Sequence, residues 1–227
     1  MTMERTLPPL HRWTAGGATV RADGHDVFVR QDGPADGAPV GSTALVAHEY
    51  GVSVGQELLA RDPSRITRTA WLNGGLYADL HRPVLMQRLL HGPLGPLLAP
   101  LTTRGRFAST LGAVLGRPLP AADLDDMWSA LSRAGGHRLA PRLLRYIDER
   151  RTHAERWTRA FEDYPGPALF VWGPADPISG AHVLDRVRTR LPSATVAELT
   201  GPPPVGHYPR VEHPTAVAEA LTAFLTP

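Results

Sequence analysis

Hydrophobic residues along this chain follow a different rhythm at its two ends from that in its middle. Near the start, Ala18 to Arg21 and His25 to Gln31 alternate, with Val27 and Val29 set against Phe28 and Arg30. That is the period-two pattern of half-buried strands, and Gly24 between them predicts a hairpin. A loop rich in glycine and proline follows from Asp32 to Pro39. Ala44 to Ala47 is then a short apolar run, Val52 to Arg61 is helical in pattern, and Ile66 to Leu72 reads as a strand ended by Asn73-Gly74-Gly75.

From Leu76 to about Asp163 the spacing is helical and strand-like runs are absent. Pro83, Pro93, Pro96, Pro100, Pro118 and Pro120 break it. Leu124, Met127, Trp128 and Leu131 share one helical face, and Leu139, Leu143, Tyr146 and Ile147 share another. Beyond Pro165-Gly166-Pro167 the strand–helix alternation returns. Ala168 to Trp172 is a strand, Ala181 to Arg190 a helix, Thr195 to Leu199 a strand and Pro214 to Leu225 a closing helix. Alternation at both ends with a helical insert between them predicts an α/β, mostly parallel sheet carrying a lid.

Composition narrows the chemistry. The 227 residues are 42% hydrophobic and 20% charged, which suits one globular core with an insertion. The absence of cysteine removes disulfides, thiolate nucleophiles and Cys-based metal sites. All the basic side chains are arginine, so a Schiff-base or P-loop lysine is excluded as well. The net charge is +2 and the arginines are scattered, so nucleic acid is not an expected partner. The opening residues lack the apolar run of a signal peptide. Pro93 to Leu101, the most apolar stretch, falls short of the ~20 residues a membrane span needs. The expectation is a cytoplasmic protein without a membrane partner.

In open α/β sheets ligands sit beyond the carboxyl ends of the strands. Three such loops hold reactive groups: His48-Glu49-Tyr50-Gly51, Gly173-Pro174-Ala175-Asp176-Pro177 and Gly206-His207-Tyr208-Pro209. A reactive group, an acid and a histidine, in that chain order, is the order of α/β-hydrolase triads. His48-Glu49-Tyr50-Gly51-Val52 starts like a zinc-protease motif but has valine where the second histidine is required. The other histidines lack metal spacing, so neither a metal nor another cofactor is expected.

These loops, with Val52 to Leu59, Leu72 to Leu76, His81-Arg82-Pro83 and Pro93 to Leu98, form a collinear set. In that set the chain resembles α/β-hydrolases of the epoxide-hydrolase and haloalkane-dehalogenase group, nearest the mesoderm-specific-transcript-like branch. The resemblance implies an α/β-hydrolase core over residues 13–76 and 164–227 and a helical cap over 77–163. It implies Glu49 as nucleophile, Asp176 as orienting acid and His207 as base. The backbone N–H of Tyr50 would supply half of an oxyanion hole, and Tyr146, with Tyr77 second, a proton for a departing epoxide oxygen. The implied partners are water and a small apolar substrate.

Two departures qualify that reading. The family places aspartate where this chain has Glu49, which moves the reactive oxygens outward by one methylene. The family also places two strands and an HG-x-P oxyanion loop ahead of the nucleophile strand. Here only Asp32 to Thr43 occupy that interval, whereas a βαβ unit takes roughly 30 residues. The two central strands are therefore expected to be missing, leaving residues 43–47 unpaired unless the hairpin moves beside them. A tight turn between Gly37 and Ser42 could offer a replacement N–H. His91-Gly92-Pro93 matches the missing loop only in letters. Two further readings stay open: a shortened, non-catalytic hydrolase-fold protein, and a serine esterase. The latter would use Ser53 in Gly51-Val52-Ser53-Val54-Gly55, which spells G-x-S-x-G. In the Glu49 register, Ser53 is instead a capping or exposed serine of the first helical turn. Arg150, Arg151, Arg156 and Arg159 read as ion-paired with Glu149 and Glu155 on a helix.

Overall fold

The computed structural model describes residue 15, residues 17–22, residues 25–30 and residues 43–226. The loop from Asp32 to Pro39 and the turn between Gly37 and Ser42 lie outside these residues. Strands β1 (Gly17–Ala22) and β2 (His25–Arg30) pair antiparallel as a separate two-stranded sheet. Strands β3 (Thr43–Ala47), β4 (Ile66–Leu72), β5 (Ala168–Trp172) and β6 (Thr195–Glu198) form a four-stranded parallel sheet in sequence order. Helix α1 (Tyr50–Arg61) connects β3 to β4 and α9 (Ala181–Arg190) connects β5 to β6.

Alternation along the central strands explains why the sheet needs cover on both faces. Trp71, Phe170 and Trp172 pack with Val52 and Leu59 of α1 and with Val183, Leu184 and Val187 of α9. Their neighbours Ala70, Leu72, Leu169 and Val171 point the other way, onto Val217 of the closing helix α11 (Pro214–Leu225), with Leu221 and Phe224 beside it. Period-two side chains with both faces buried give near-continuous apolar strands, as parallel sheets require.

Strand β3 differs. Among the described residues it pairs only with β4, and β1 and β2 pair with each other, so the hairpin does not flank residues 43–47. Val46 is 46% exposed, and Tyr50, Val54 and Leu58 of α1 are also exposed.

Between β4 and β5 the chain is helical: α2 (Leu85–His91), α3 (Gly95–Leu98), α4 (Arg104–Gly112), α5 (Ala121–Ser132), α6 (Ala140–Leu143), α7 (Tyr146–Thr152) and α8 (Ala154–Glu162). Leu111, Val114 and Leu119 of this insertion pack with Ile178 and Val211, joining it to the loops beyond β5 and β6. The shared face expected for residues 139–147 does not form. A break after Leu143 separates α6 from α7, leaving Leu139 and Leu143 exposed while Tyr146 and Ile147 are buried. A period of 3.6 holds only while the helix continues.

Candidate active site

Glu49 occupies the turn between β3 and α1 with φ 53°, the left-handed region disfavoured for a residue with a Cβ. The turn is held by the Glu49 N–H, which donates to the Asn73 carbonyl at 2.9 Å. Gly74 passes so close that a Cβ there would stand 2.6 Å from Val52 Cγ2 and 3.0 Å from the Glu49 carbonyl oxygen. The Asn-Gly-Gly end of β4 therefore supports the sharp turn as well as ending a strand.

Asp176, in the loop after β5, is buried and fully engaged. Its Oδ2 accepts from Ser179 Oγ at 2.6 Å and Asn73 Nδ2 at 3.1 Å, and its Oδ1 from the Ile178 N–H at 2.8 Å. His207 Nδ1 lies 2.7 Å from the same Oδ2, and His207 Nε2 lies 3.8 Å from Glu49 Oε1. The three residues thus converge with the imidazole between two carboxylates. Burial works against its proton, but the hydrogen bond to Asp176 and the contact with Glu49 prevail and push its pKa up to about 9. Burial likewise opposes ionisation of Glu49 and Asp176, yet His207 holds both carboxyls below their ordinary values.

Three polar residues to which the sequence reading gave no part in the site shape this arrangement. Asn73 spans two loops: its Oδ1 accepts from the Gly173 N–H at 2.6 Å while its Nδ2 reaches the Gly173 carbonyl and Asp176. Its signal was a polar residue at a strand's carboxyl end before paired glycines. Glu212 of α10 (Pro209–Glu212) is buried and accepts backbone N–H groups from Gly116, Gly206 and Tyr208 at 2.6, 2.9 and 2.9 Å. It pins both neighbours of His207. His48 donates from Nε2 to the His207 carbonyl at 2.9 Å, and burial lowers its pKa to about 4, so it is neutral.

A cavity of about 390 Å³ opens beside Glu49, lined largely by apolar side chains that include Met86, Leu90, Leu144, Tyr146 and Tyr208. The Tyr146 hydroxyl donates to Glu49 Oε1 at 3.4 Å, and burial followed by the Glu49 charge pushes its pKa up to about 12. Tyr50 also lines the cavity, with its ring edge-on to Tyr146 at 4.8 Å. Burial opposes the Glu49 charge, while His207, Arg150 and then the Tyr50 backbone N–H hold its carboxyl below the ordinary value.

Other expectations need correction. Tyr77 is drawn away from the site, because its hydroxyl donates to Glu162 at 3.0 Å. Ser53 neither caps the helix nor faces solvent: it is 3% exposed, and its Oγ accepts from Arg150 Nε at 3.3 Å. Arg150 is not a solvated ion-pair member. It is 4% exposed, its guanidinium lies over the Tyr146 ring at 4.8 Å, and its charge helps depress the Glu49 pKa. Gly75 makes room for it, since a Cβ there would fall 1.7 Å from Arg150 Nη1. Arg151, Arg156 and Arg159 do pair with acids, namely Asp148, Glu57 and Glu155.

A parallel sheet with an acidic residue at a strained strand-to-helix turn, and an acid–histidine pair in later strand loops, is the layout of the α/β-hydrolase fold. The chain shares that family's fold. It is 40% identical over 192 residues to a Mycobacterium tuberculosis protein carrying the name hydrolase LipZ, covering 82% of this chain and 66% of that one. It is 34% identical over 193 residues to the mesoderm-specific transcript homolog protein of Homo sapiens, covering 80% of this chain and 57% of that one. The chain thus spans just under two thirds, or less, of these relatives. Among solved structures, haloalkane dehalogenase DbeA from Bradyrhizobium elkani superposes with a TM-score of 0.66 at 17% identity, covering 82% of this chain and 67% of that one. Protein Cfl2 of Burkholderia cenocepacia gives 0.65 at 21% identity, covering 82% of this chain and 66% of that one. At these identities the structural likeness concerns the fold alone. No protein-family model matches the chain.

Proposed function

We propose that the protein is a small-molecule hydrolase of the epoxide-hydrolase or haloalkane-dehalogenase type, with the helical insertion acting as a cap over the substrate. The observation that carries this reading is the Glu49 carboxylate, held in a strained turn 3.8 Å from an imidazole backed by Asp176. A Glu49 oxygen attacks an sp³ carbon, forming a C–O ester bond as the carbon–halogen or carbon–oxygen bond of the substrate breaks. For an epoxide, Tyr146 gives its proton to the departing oxygen, and a high hydroxyl pKa keeps that proton available. Ester formation neutralises Glu49 and removes one of the charges that keep His207 protonated. The imidazole then releases its proton, to solvent for a haloalkane or to the Tyr146 phenolate for an epoxide. It takes one from a water attacking the ester carbonyl. The acyl C–O bond breaks, the alcohol leaves with that proton, and the acid form of Glu49 returns its own to the imidazole. Asp176 fixes its orientation throughout. The apolar lining of the cavity suits a neutral substrate.

The test is mass spectrometry of the intact protein after incubation with a terminal epoxide or a 1-haloalkane. In His207→Gln the alkyl ester should accumulate on Glu49, and Glu49→Gln should remain unmodified. No adduct with either substrate class would leave the shortened, non-catalytic reading. Turnover lost on Ser53→Ala but kept in Glu49→Gln would instead favour the serine esterase.

A further inference from the structure

The insertion carries an unusual surface. Elements α2, α3 and α6 pack on one another and on the turns at Ala99–Leu101 and Arg133–Leu139. On these elements and the link between α2 and α3, Leu85, Leu89, Leu94, Leu97, Leu139 and Leu143 are exposed by 42–71%. Buried side chains stabilise by about 25 cal/mol per Å² of apolar area, so this much exposed leucine on adjoining elements is costly and marks a contact surface.

Its position relative to the cavity is defined. On α2, Met86 and Leu90 line the cavity. Leu85 and Leu89 form the adjacent row, turned by about 100° on the helix. Leu143 both lines the cavity and is 60% exposed, so the leucine surface meets the cavity at its mouth.

Charge identifies the occupant. No aspartate or glutamate occurs from residue 80 to 122, or from 127 to 147. Arg88, Arg138, Arg142 and Arg145 are exposed on or beside these elements, and among the described residues none is ion-paired. A second copy of this face would set arginine against arginine. An anionic bilayer accepts the leucines among its acyl chains and pairs each guanidinium with a headgroup phosphate or carboxylate. No described helix is long and apolar enough to cross a membrane, so the contact is one of lying on the surface.

We infer that the leucine–arginine face of the insertion docks on an anionic lipid surface, with the cavity mouth opening toward it. The docking stands apart from the chemistry proposed for Glu49, because membrane binding can be read without turnover. The consequence that an apolar substrate enters from the lipid does rest on that chemistry.

The experiment is co-sedimentation of the full chain with vesicles of phosphatidylcholine alone, or of about three parts phosphatidylcholine to one part phosphatidylserine. Binding should favour the anionic vesicles by tenfold or more and weaken at high salt. Arg138→Gln with Arg142→Gln should weaken it by about 25-fold, at roughly fivefold per arginine. Leu85→Ser with Leu97→Ser should reduce it comparably while the circular dichroism spectrum stays unchanged, since both side chains are exposed in the folded chain. Absence of binding to either vesicle, or binding indifferent to both double variants, would overturn the inference. So would lipid-free self-association, seen in the ultracentrifuge and abolished by the leucine variants, because it would assign the face to a second copy.

Discussion

His207 is held between Glu49 and Asp176, and its proton reports on both. Its folded pKa of about 9 lies above the ordinary 6.5. The resulting stabilisation is fully present below 6.5 and is lost as pH rises through 9. Wild type should therefore lose more thermal stability across that window than His207→Gln, as read by melting temperature in matched buffers. Removing the Glu49 charge should lower the His207 pKa, so an NMR titration of the ring protons in Glu49→Gln should shift toward neutral pH. An unchanged titration would show that the 3.8 Å pair carries no coupling. At this scale the sequence was informative where a residue type is rare and chemically marked. Asp176 and His207 stood out in loops after strands. Arg150 and Glu212 did not, because a lone charged residue on a helix has the same letters whether it faces water or a buried partner. Their burial is decided by what the fold places opposite them, Gly75 and Ser53 in one case and three backbone N–H groups in the other.

Elements differ in how much the rest of the molecule depends on them. Glu212 ties α10 to Gly206, Tyr208 and Gly116, so Glu212→Ala would strand three backbone donors. Each buried unsatisfied group costs ~1–3 kcal/mol. A loss on the order of 3 kcal/mol is expected from denaturant melts, with a matching disturbance of the His207 resonance. Strand β5 lies inside the sheet and β3 at its described edge. Phe170→Ala should cost ~3–5 kcal/mol, whereas Val46→Thr, on an exposed side chain, should change stability by no more than about 0.5 kcal/mol. Strand β5 was legible because burial on both faces leaves a short continuous apolar run, Ala168 to Trp172, bounded by proline and glycine. The break after Leu143 was not, since Pro141 is tolerated in a first helical turn and nothing from Arg142 to Ile147 forbids the helix from continuing. Only the packing of Tyr146 and Ile147 away from Leu143 reveals two pieces.

The whole molecule is knit by contacts between the insertion and the sheet. Helix α8 packs along α1, Trp157 Nε1 donates to Glu57 at 2.6 Å, and Phe161 enters the core beside Trp71. One cooperative transition is therefore expected, with tryptophan fluorescence and far-ultraviolet circular dichroism melting together. Separate midpoints would show that the insertion unfolds as a unit of its own. Sequence rhythm separated insertion from sheet but could not show this interlock, which depends on residues about a hundred positions apart. The same interlock bears on how the chain reaches its native state. Glu49 comes from before the insertion, Tyr146 from within it, 97 residues on, and Asp176 and His207 from after it. Long loops must close before these groups meet, and topologies dominated by distant contacts fold slowly. On refolding from denaturant, the His207 ring signal should thus recover later than helical ellipticity. A nascent chain released before residue 207 would have most of its helices and none of the assembled centre.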